Sequence, residues 1–322
     1  MSTITELLGH QKPKVLTQEQ IDSFMKHGFL RLPGAIIPEK GDAWCKDVWN
    51  RLGMDPNDKS TWHAERTNMP SRKRIPVSEV APTAWTAICD LCGGEDRVHE
   101  SARTWSDGFI VNLGSPEGEG KEIAPKDLDN WHVDGDFFIH FLDSPEQALL
   151  VIPCWSDVHP NGGATWICDQ GPARIGKLLY DHPEGLTPRM GPRSEDAGYT
   201  TLKAYIDVIK ECPDETFHEM TGKKGDVILL HPLMLHSASK NGARQIRIIT
   251  NPPVSNNEPF QFSRPGKPEE YSLVELKTMQ AVGGDNAPET HFKDWKITAE
   301  RELIVPERVK RQRRCWKRKI GD

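Results

Sequence analysis

The chain has 322 residues, of which 36% are hydrophobic and 27% are charged, and its formal net charge is −6 at pH 7. A chain of this length can bury one sizeable core, and we expect a single domain over residues 1–305. No apolar run approaches the length of a transmembrane helix, so a membrane-spanning protein is excluded as the expected class. The seven cysteines are scattered and no signal peptide is apparent, so we expect a reducing, cytoplasmic location.

Two amphipathic helices are the first predicted elements. The run Thr17-Gln-Glu-Gln20 is a capping-box pattern, and apolar residues follow it at helical spacing as far as Gly28. A second apolar helical face extends over 85–92 and ends at Gly93. Between these helices, the basic segment 62–76 is interpreted as a solvated loop, with a loop that lines a binding site as the alternative.

A metal-binding motif lies between two predicted strands, 107–114 and 148–155, the second of which is apolar nearly throughout. The motif is His132-x-Asp134. In an extended backbone these two side chains point the same way, with Cα atoms roughly 6 to 7 Å apart, so they can bind one ion. Asp136 has the same parity but lies one step further along, and we expect it to be a solvated turn residue.

Two downstream histidines are candidates for a third ligand. Gly225-Asp226 is a turn signal, and Val227–Leu230 then reads as a buried strand that delivers His231 and His236 to one end of a sheet. One of the two completes a set of two imidazoles and one carboxylate. This set is the facial triad of non-haem Fe(II) oxygenases, which leaves coordination positions open for O₂ and a co-substrate.

Arg247 is the candidate for binding an anion. It lies in a third β-rich run, 245–250, between apolar neighbours, where a cation requires an anionic partner. The planar guanidinium matches a carboxylate, so we predict that Arg247 binds the distal carboxylate of a dicarboxylic keto acid, with 2-oxoglutarate as the candidate. The HxD pattern alone is weak. Its order with His236 and an arginine 247 − 236 = 11 positions later strengthens the interpretation.

Over about residues 16–252 the sequence resembles the phytanoyl-CoA dioxygenase-like family of Fe(II)/2-oxoglutarate-dependent oxygenases. The resemblance is carried by an opening helix, Trp131-His132-x-Asp134, Asn161-Gly-Gly-Ala-Thr165, the run Gly225–His236, and Arg247. It implies a mainly β fold with flanking helices, a double-stranded β-helix (jelly roll, cupin-like). The iron ligands it implies are His132, Asp134 and His236. It places His231 next to these ligands, without contact to the metal. It also implies co-substrate contacts from Arg247, Asn112 and Thr165.

Two further features bear on the substrate. Many relatives continue the Asn-Gly segment into Pro-Gly-Ser-His, whereas this chain has Ile167–Pro172, so substrate analogies do not carry across this stretch. The proline-containing segment 170–224, with a helix around 200–212, is expected to be a lid-like insertion that excludes water.

Halogenating relatives replace the metal-binding carboxylate with a small residue. Because Asp134 is retained, the resemblance implies a hydroxylase-type enzyme.

The predicted function is therefore an Fe(II)- and 2-oxoglutarate-dependent dioxygenase that uses O₂ to oxidise a small organic metabolite, with secondary metabolism as the expected setting. Hydroxylation is favoured, and desaturation or rearrangement stays open. Two alternatives are a catalytically silent metal-binding jelly-roll protein that acts in ligand binding, and a zinc hydrolase.

The end of the chain is a basic tail, 306–322. From Glu307 onwards it has eight basic and two acidic residues, 8 − 2 = +6, so the remainder of the chain carries −12. We interpret the tail as solvated and expect no nucleic-acid partner, with a nuclear address as the alternative. The oligomeric state is open and includes a homodimer.

Overall fold

Short antiparallel strands and flanking helices make up the fold in a computed structural model, which describes residues 2–194, 202–286, 288–306 and 309–310. The helices are α1 Ile4–Leu8, α2 Gln18–His27, α3 Pro38–Cys45, α4 Val48–Leu52, α5 Val77–Val80, α6 Pro82–Cys92, α7 Gly171–Asp181, α8 Lys203–Glu211, α9 Leu273–Gly283 and α10 Pro288–Phe292. The strands are β1 Phe29–Leu32, β2 Arg66–Asn68, β3 Arg74–Pro76, β4 Thr104–Ser106, β5 Ile110–Asn112, β6 Leu150–Pro153, β7 Thr165–Cys168, β8 Phe217–Glu219, β9 Val227–Leu230, β10 Leu235–Ala238 and β11 Arg247–Ile249. None of the helices described is both long enough and apolar enough to cross a bilayer.

The predicted helix near the start of the chain is confirmed as α2. Thr17 and Gln20 form a reciprocal capping box at its first turn. It ends at Gly28, whose φ of 74° is left-handed backbone. A Cβ at this position would lie 2.9 Å from Met234 Cε, so the glycine also permits close packing against the turn after β9. The helix predicted over 85–92 is confirmed within α6.

The predicted strand Val227–Leu230 is confirmed as β9, and the other predicted strands are confirmed as shorter elements. The segment 170–224 contains more regular structure than expected. Helix α8 confirms the later part of the helix predicted there, while residues 195–201 lie outside the described residues. Helix α7, at the start of the segment, was not predicted. Strand β8, near its end, pairs antiparallel with β7 and so belongs to a sheet. Most of the basic tail lies outside the described residues as well.

The strands form two groups that face each other. In the first, β1-β9-β6 and β11-β5-β2 are joined by an antiparallel bridge between Cys154 and Ile249. In the second, β10-β7-β8 is extended at the β10 edge by a bridge between His132 and His236. We call these groups the large sheet and the small sheet. Strands β3 and β4 pair separately.

Strands β6 and β9 are buried on both faces, as the apolar run in 148–155 predicts. On one face, Val151 and Leu229 belong to the core that includes the helices. On the other face, Leu150 and Leu230 lie opposite each other and join a second hydrophobic cluster that also contains Ile167 of the small sheet. The space between the two sheets is therefore partly filled by apolar side chains, and the remainder forms a cavity.

His231 is a buried structural residue. Its Nδ1 accepts a hydrogen bond from Leu233 N–H at 3.2 Å, and its Nε2 lies 2.9 Å from Thr278 Oγ1 on α9. The Thr278 hydroxyl in turn donates to the carbonyl of Val274. This arrangement requires a neutral imidazole with its proton on Nε2. Burial, together with the charge of Lys277, lowers the pKa of His231 to about 3.

We predict that His231 makes folding stability depend on pH. In the unfolded chain this histidine has a pKa near 6.5 and is protonated below that pH, whereas in the folded chain it stays neutral down to about pH 3. The free energy of unfolding therefore falls as the pH falls from 6.5 toward 3. At pH 5 the loss from this one residue is about 2 kcal/mol. Urea denaturation at pH 7.5 and pH 5 should therefore show a smaller loss in His231→Gln than in the unaltered protein.

The control for this comparison is His10→Gln, which changes an exposed histidine and should leave the loss unchanged. An equal loss in the unaltered protein and in folded His231→Gln would contradict the prediction.

Candidate metal centre

Reciprocal backbone hydrogen bonds hold the two candidate histidine ligands side by side. The N–H of His132 donates to the carbonyl of His236 at 3.0 Å, and the N–H of His236 donates to the carbonyl of His132 at 3.0 Å. His236 is in β10, whereas His132 lies in the loop between β5 and β6. The bridge therefore fixes a loop residue to a strand, and the two ring centroids lie 4.3 Å apart.

Both imidazoles are oriented by carbonyl groups two residues earlier in the chain. The Nδ1 of His132 lies 2.7 Å from the carbonyl oxygen of Asn130, and the Nδ1 of His236 lies 3.0 Å from that of Met234. A carbonyl only accepts, so each Nδ1 carries the proton in the neutral imidazole. Each Nε2 is therefore left with a free lone pair, which is the form that binds a metal.

Asp134 completes a three-residue donor set. Its Oδ1 lies 3.6 Å from Nε2 of His132 and 3.6 Å from Nε2 of His236. All three donor atoms lie within 4.8 Å of one another. Burial alone would raise the pKa of Asp134, but His236 and His132 outweigh it and hold this pKa far below its usual range. Burial opposes a charge on His236, yet Asp134 raises its pKa.

The two neighbouring candidates lie apart from this donor set. Asp136 is in an exposed turn, as predicted, and is outside the cluster. His231 is also outside it, and its ring nitrogens are engaged by Leu233 and Thr278. The structure thus brings His132 and Asp134 together with His236, the alternative that the family resemblance favoured. The assignment of these three residues as ligands stays a prediction.

A cavity of about 150 Å³ lies between the two sheets and includes the three candidate ligands. This volume is below the range of roughly 300 to 1,000 Å³ that is common for drug-sized ligands, so the space suits a small molecule. The small sheet contributes Thr165 as well. The large sheet contributes apolar side chains and two arginines, and its lining residues are Arg66, Asn68, Ile110, Leu150, Val151, Ile152, Leu230, Arg247 and Ile249.

Arg247 is a buried cation with no anionic partner among the described residues. It is only 2% exposed, and no carboxylate of the described residues lies within 4.0 Å of its nitrogens. Its Nη2 donates to Thr165 Oγ1 at 3.1 Å, while its buried Nε has no hydrogen-bond partner in the part of the chain that the structure describes. Burial lowers the pKa of Arg247 to about 10. An unpaired buried charge is costly, so this side chain is suited to receive an anion.

Strand β2, within the basic segment 62–76, is part of the cavity wall, as the alternative interpretation of that segment expected, while residues 71–74 are exposed to solvent. Strand β2 pairs with β5 in such a register that Arg66 and Arg247 both lie opposite Asn112, one on each side. Arg66 and Asn68 line the cavity. The polar sequence of this segment does not indicate a strand. The position of β2 depends instead on its pairing with β5.

Asn112, predicted to contact the co-substrate, is not among the residues that line the cavity. Its Nδ2 donates to the carbonyl of Ser239 at 3.2 Å, and its Oδ1 accepts from Gly114 N–H at 3.3 Å. A Cβ added to Gly163 would lie 2.4 Å from the same amide. These contacts favour a structural role for Asn112, whereas Thr165 lies beside Arg247 on the cavity wall as predicted.

The residues present fit a metal ion and an anionic organic ligand. Two neutral imidazoles and one carboxylate suit a first-row divalent metal, including Fe(II) and Zn(II). The unpaired guanidinium of Arg247 in the same cavity suits a carboxylate. The site therefore has the chemistry to hold a metal together with a small acid.

No protein-family model matches this sequence, and no curated protein matches it. Among solved structures, the chain is similar to HygX from Streptomyces hygroscopicus with nickel and 2-oxoglutarate bound, at 15% identity over 77% of this chain and 90% of that chain, with a TM-score of 0.42. It is also similar to SnoK, a non-heme alpha ketoglutarate dependent carbocyclase from nogalamycin biosynthesis, at 14% identity over 91% and 100% of the two chains, with a TM-score of 0.43. A third is the epimerase SnoN in complex with Fe3+, alpha ketoglutarate and nogalamycin RO, at 16% identity over 77% and 90%, with a TM-score of 0.38. Likenesses this distant decide neither the fold nor the reaction of this chain.

We predict that the Thr165 hydroxyl stabilises the fold by satisfying Arg247. Thr165→Val keeps the shape of the side chain but leaves a second buried guanidinium nitrogen without its protein partner, which should cost about 1 to 3 kcal/mol. Urea denaturation measures this loss. Thr165→Ser retains the hydroxyl and should recover most of it, and a Val variant as stable as the unaltered protein would contradict the role.

Proposed function

We propose that this protein is an Fe(II)- and 2-oxoglutarate-dependent oxygenase in which His132, Asp134 and His236 hold the iron. The observation that carries the proposal is the unpaired buried guanidinium of Arg247, which shares a cavity of about 150 Å³ with these three donors. A metal site alone suits many functions. A metal site beside a cation that lacks an anion suits a metal whose co-substrate is an acid.

The arrangement of the sheets supports the finer fold assignment that we propose, a double-stranded β-helix of the phytanoyl-CoA dioxygenase-like type. Two antiparallel sheets face each other, and the donors and Arg247 come from opposite sheets. In a jelly roll, paired sheets enclose a site in this way. The segment 170–224 remains our candidate for a lid, although its described residues do not line the cavity.

In the proposed mechanism, the protein supplies position and exclusion of water. Bound iron with 2-oxoglutarate and O₂ would supply the oxidation of a C–H bond. The imidazoles of His132 and His236 offer Nε2, because their Nδ1 protons are held by backbone carbonyls. Arg247 binds the distal carboxylate, and Thr165 holds one guanidinium nitrogen in place.

The remaining lining residues are of two kinds, apolar side chains and amides. Ile110 and Leu150 belong to an apolar wall that excludes water, and Leu230 lies opposite Leu150. Asn68 and Asn130 provide amides that can donate or accept hydrogen bonds. We propose a small organic metabolite as the substrate, and hydroxylation as the outcome.

The alternatives have weaker support from this cavity. A zinc hydrolase needs a general base near the metal, yet Asp134 is the one carboxylate among the described residues that line the cavity. A silent scaffold that keeps its metal for stability alone has no use for an unpaired buried cation, which reduces its stability. The cavity therefore favours the oxygenase over a zinc hydrolase and over a scaffold of that kind.

The test is an anaerobic titration of the metal-free protein with Fe(II) and 2-oxoglutarate, monitored through the visible charge-transfer band of the chelate. We expect a band in the unaltered protein and none in His236→Ala. Arg247→Ala should weaken 2-oxoglutarate binding by about 10- to 100-fold, because a charge-assisted hydrogen bond is lost.

Arg247→Lys retains the charge without the planar fork and should give an intermediate affinity. Arg74→Ala changes an exposed arginine on β3, outside the cavity wall, and serves as the control. A folded, iron-loaded protein that shows no band would contradict the proposed use of 2-oxoglutarate and would favour the hydrolase or the silent scaffold.

A further inference from the structure

A second set of two histidines and one aspartate lies outside the candidate oxygenase centre. The Nδ1 of His27 and the Nε2 of His218 approach the same carboxylate oxygen, Oδ2 of Asp169, at 2.8 and 3.0 Å. The three donor atoms lie within 4.8 Å of one another, and all three residues are half-buried. We call this set the edge cluster.

The edge cluster connects the two sheets at their outer strands. His27 is the last residue of α2 and is separated by Gly28 alone from β1, which is an edge strand of the large sheet. His218 is on β8, an edge strand of the small sheet, and Asp169 directly follows β7. Phe29 of β1 packs against the ring of His218, with centroids 5.5 Å apart. The cluster therefore lies where the open edges of the sheets meet.

We propose that His27, Asp169 and His218 form a second binding site for a divalent transition metal of the Zn(II) type, which joins the edges of the two sheets. The inference does not depend on the proposed oxygenase function. Two imidazoles and one carboxylate are a common donor set for zinc, with water in the remaining position.

The donor atoms need only a small adjustment to hold an ion. Zinc bonds of about 2.0 to 2.2 Å place tetrahedral ligand atoms roughly 3.4 Å apart. The observed separations of 2.8 and 3.0 Å from Asp169 Oδ2 are a few tenths of an ångström shorter. Rotation of the half-exposed rings of His27 and His218 can open this space. The second carboxylate oxygen of Asp169 is near Gln170 Nε2, at 3.5 Å, which helps to hold the group in place.

The imidazoles can present lone pairs to the metal. No hydrogen bond to a described residue holds the outer nitrogens, Nε2 of His27 and Nδ1 of His218. Each neutral ring can therefore move its proton to the outer, solvent-facing nitrogen and leave the inner one free. This freedom contrasts with His132 and His236, whose tautomers are fixed by carbonyls. The edge cluster is therefore expected to bind metal more weakly than a pre-organised site.

One nearby charge acts against the cation. Lys277, buried on α9, donates to the carbonyls of Met25 and Lys26 at the end of α2, and its charge interacts with that of Asp169. This ammonium group partly offsets the carboxylate. It makes the site exchangeable rather than permanent, and binding should follow the free metal concentration.

The test uses the full chain with His132→Ala and His236→Ala combined, which removes both imidazoles of the candidate oxygenase centre. Equilibrium dialysis against ZnCl₂ should leave one bound equivalent in this background, and His218→Gln added to it should remove that equivalent. Zinc should also raise the melting temperature of the background protein, and this shift should disappear with His218→Gln. Co(II) in place of zinc should give the visible absorption of a tetrahedral site with nitrogen and oxygen ligands.

The matched control is His182→Gln in the same background. The side chain of His182 is partly exposed and pairs with a carboxylate, Glu184, at 2.8 Å, but no described residue offers a third ligand. Its replacement should leave zinc binding and the melting shift unchanged. A folded background protein that binds no zinc, or a His218→Gln variant that keeps it, would overturn the proposal.

If the background variant does not fold, the comparison moves to the protein with both histidines intact. The unaltered chain should then bind one equivalent more than Asp169→Asn, whatever the other cluster binds. Equal zinc binding by the two proteins would overturn the proposal. None of these measurements includes 2-oxoglutarate, so failure here is distinguishable from failure of the proposed oxygenase.

Discussion

The pair of backbone hydrogen bonds between His132 and His236 is the constraint on which the candidate metal centre depends. Each bond is 3.0 Å long, and together they attach a loop to the edge of β10. Without them, His132 and Asp134 would have the freedom of a surface loop. With them, the three donor atoms lie within 4.8 Å of one another although they come from separate parts of the chain. The geometry of the site is therefore a property of strand pairing.

The cavity has a negative charge on the side of the small sheet and a positive charge on the side of the large sheet. The small-sheet side carries the carboxylate of Asp134 between two imidazoles. The large-sheet side carries Arg247, whose Nε has no partner among the residues that the structure describes. The fold bears the cost of that buried cation. A ligand that binds the metal and also presents a carboxylate to Arg247 would relieve this cost, so its binding and the stability of the fold are linked.

The sequence predicted the parts of the molecule that follow local rules. The capping box at Thr17, the left-handed end of the helix at Gly28 and the buried strand Val227–Leu230 all follow from residue type and spacing. The ordered motif also pointed to His132 and His236, which the structure brings into contact. These features need no knowledge of distant parts of the chain.

Other parts could not be predicted because they depend on long-range pairing. Arg66 is exposed, as its polarity suggests, but its place at the cavity wall depends on the pairing of β2 with β5. Helix α7 begins with Gly171-Pro172, which by itself indicates a turn, although proline is well suited to the first turn of a helix. The edge cluster joins residues 142 and 49 positions apart, so no local motif identifies it.

The orientation of the histidines in the candidate metal centre has a consequence for engineering. In many metal sites a side-chain carboxylate orients the ligating imidazole, so a single substitution can disturb it. Here the orienting groups are the main-chain carbonyls of Asn130 and Met234, which every amino acid possesses. Asn130 is exposed, so its side chain can be replaced without removing the hydrogen bond that orients His132. Met234 is fully buried in the second hydrophobic cluster, so packing limits which side chains can replace it. Because Asn130 also lines the cavity, the surroundings of His132 offer more room to redesign the site for a new substrate than those of His236.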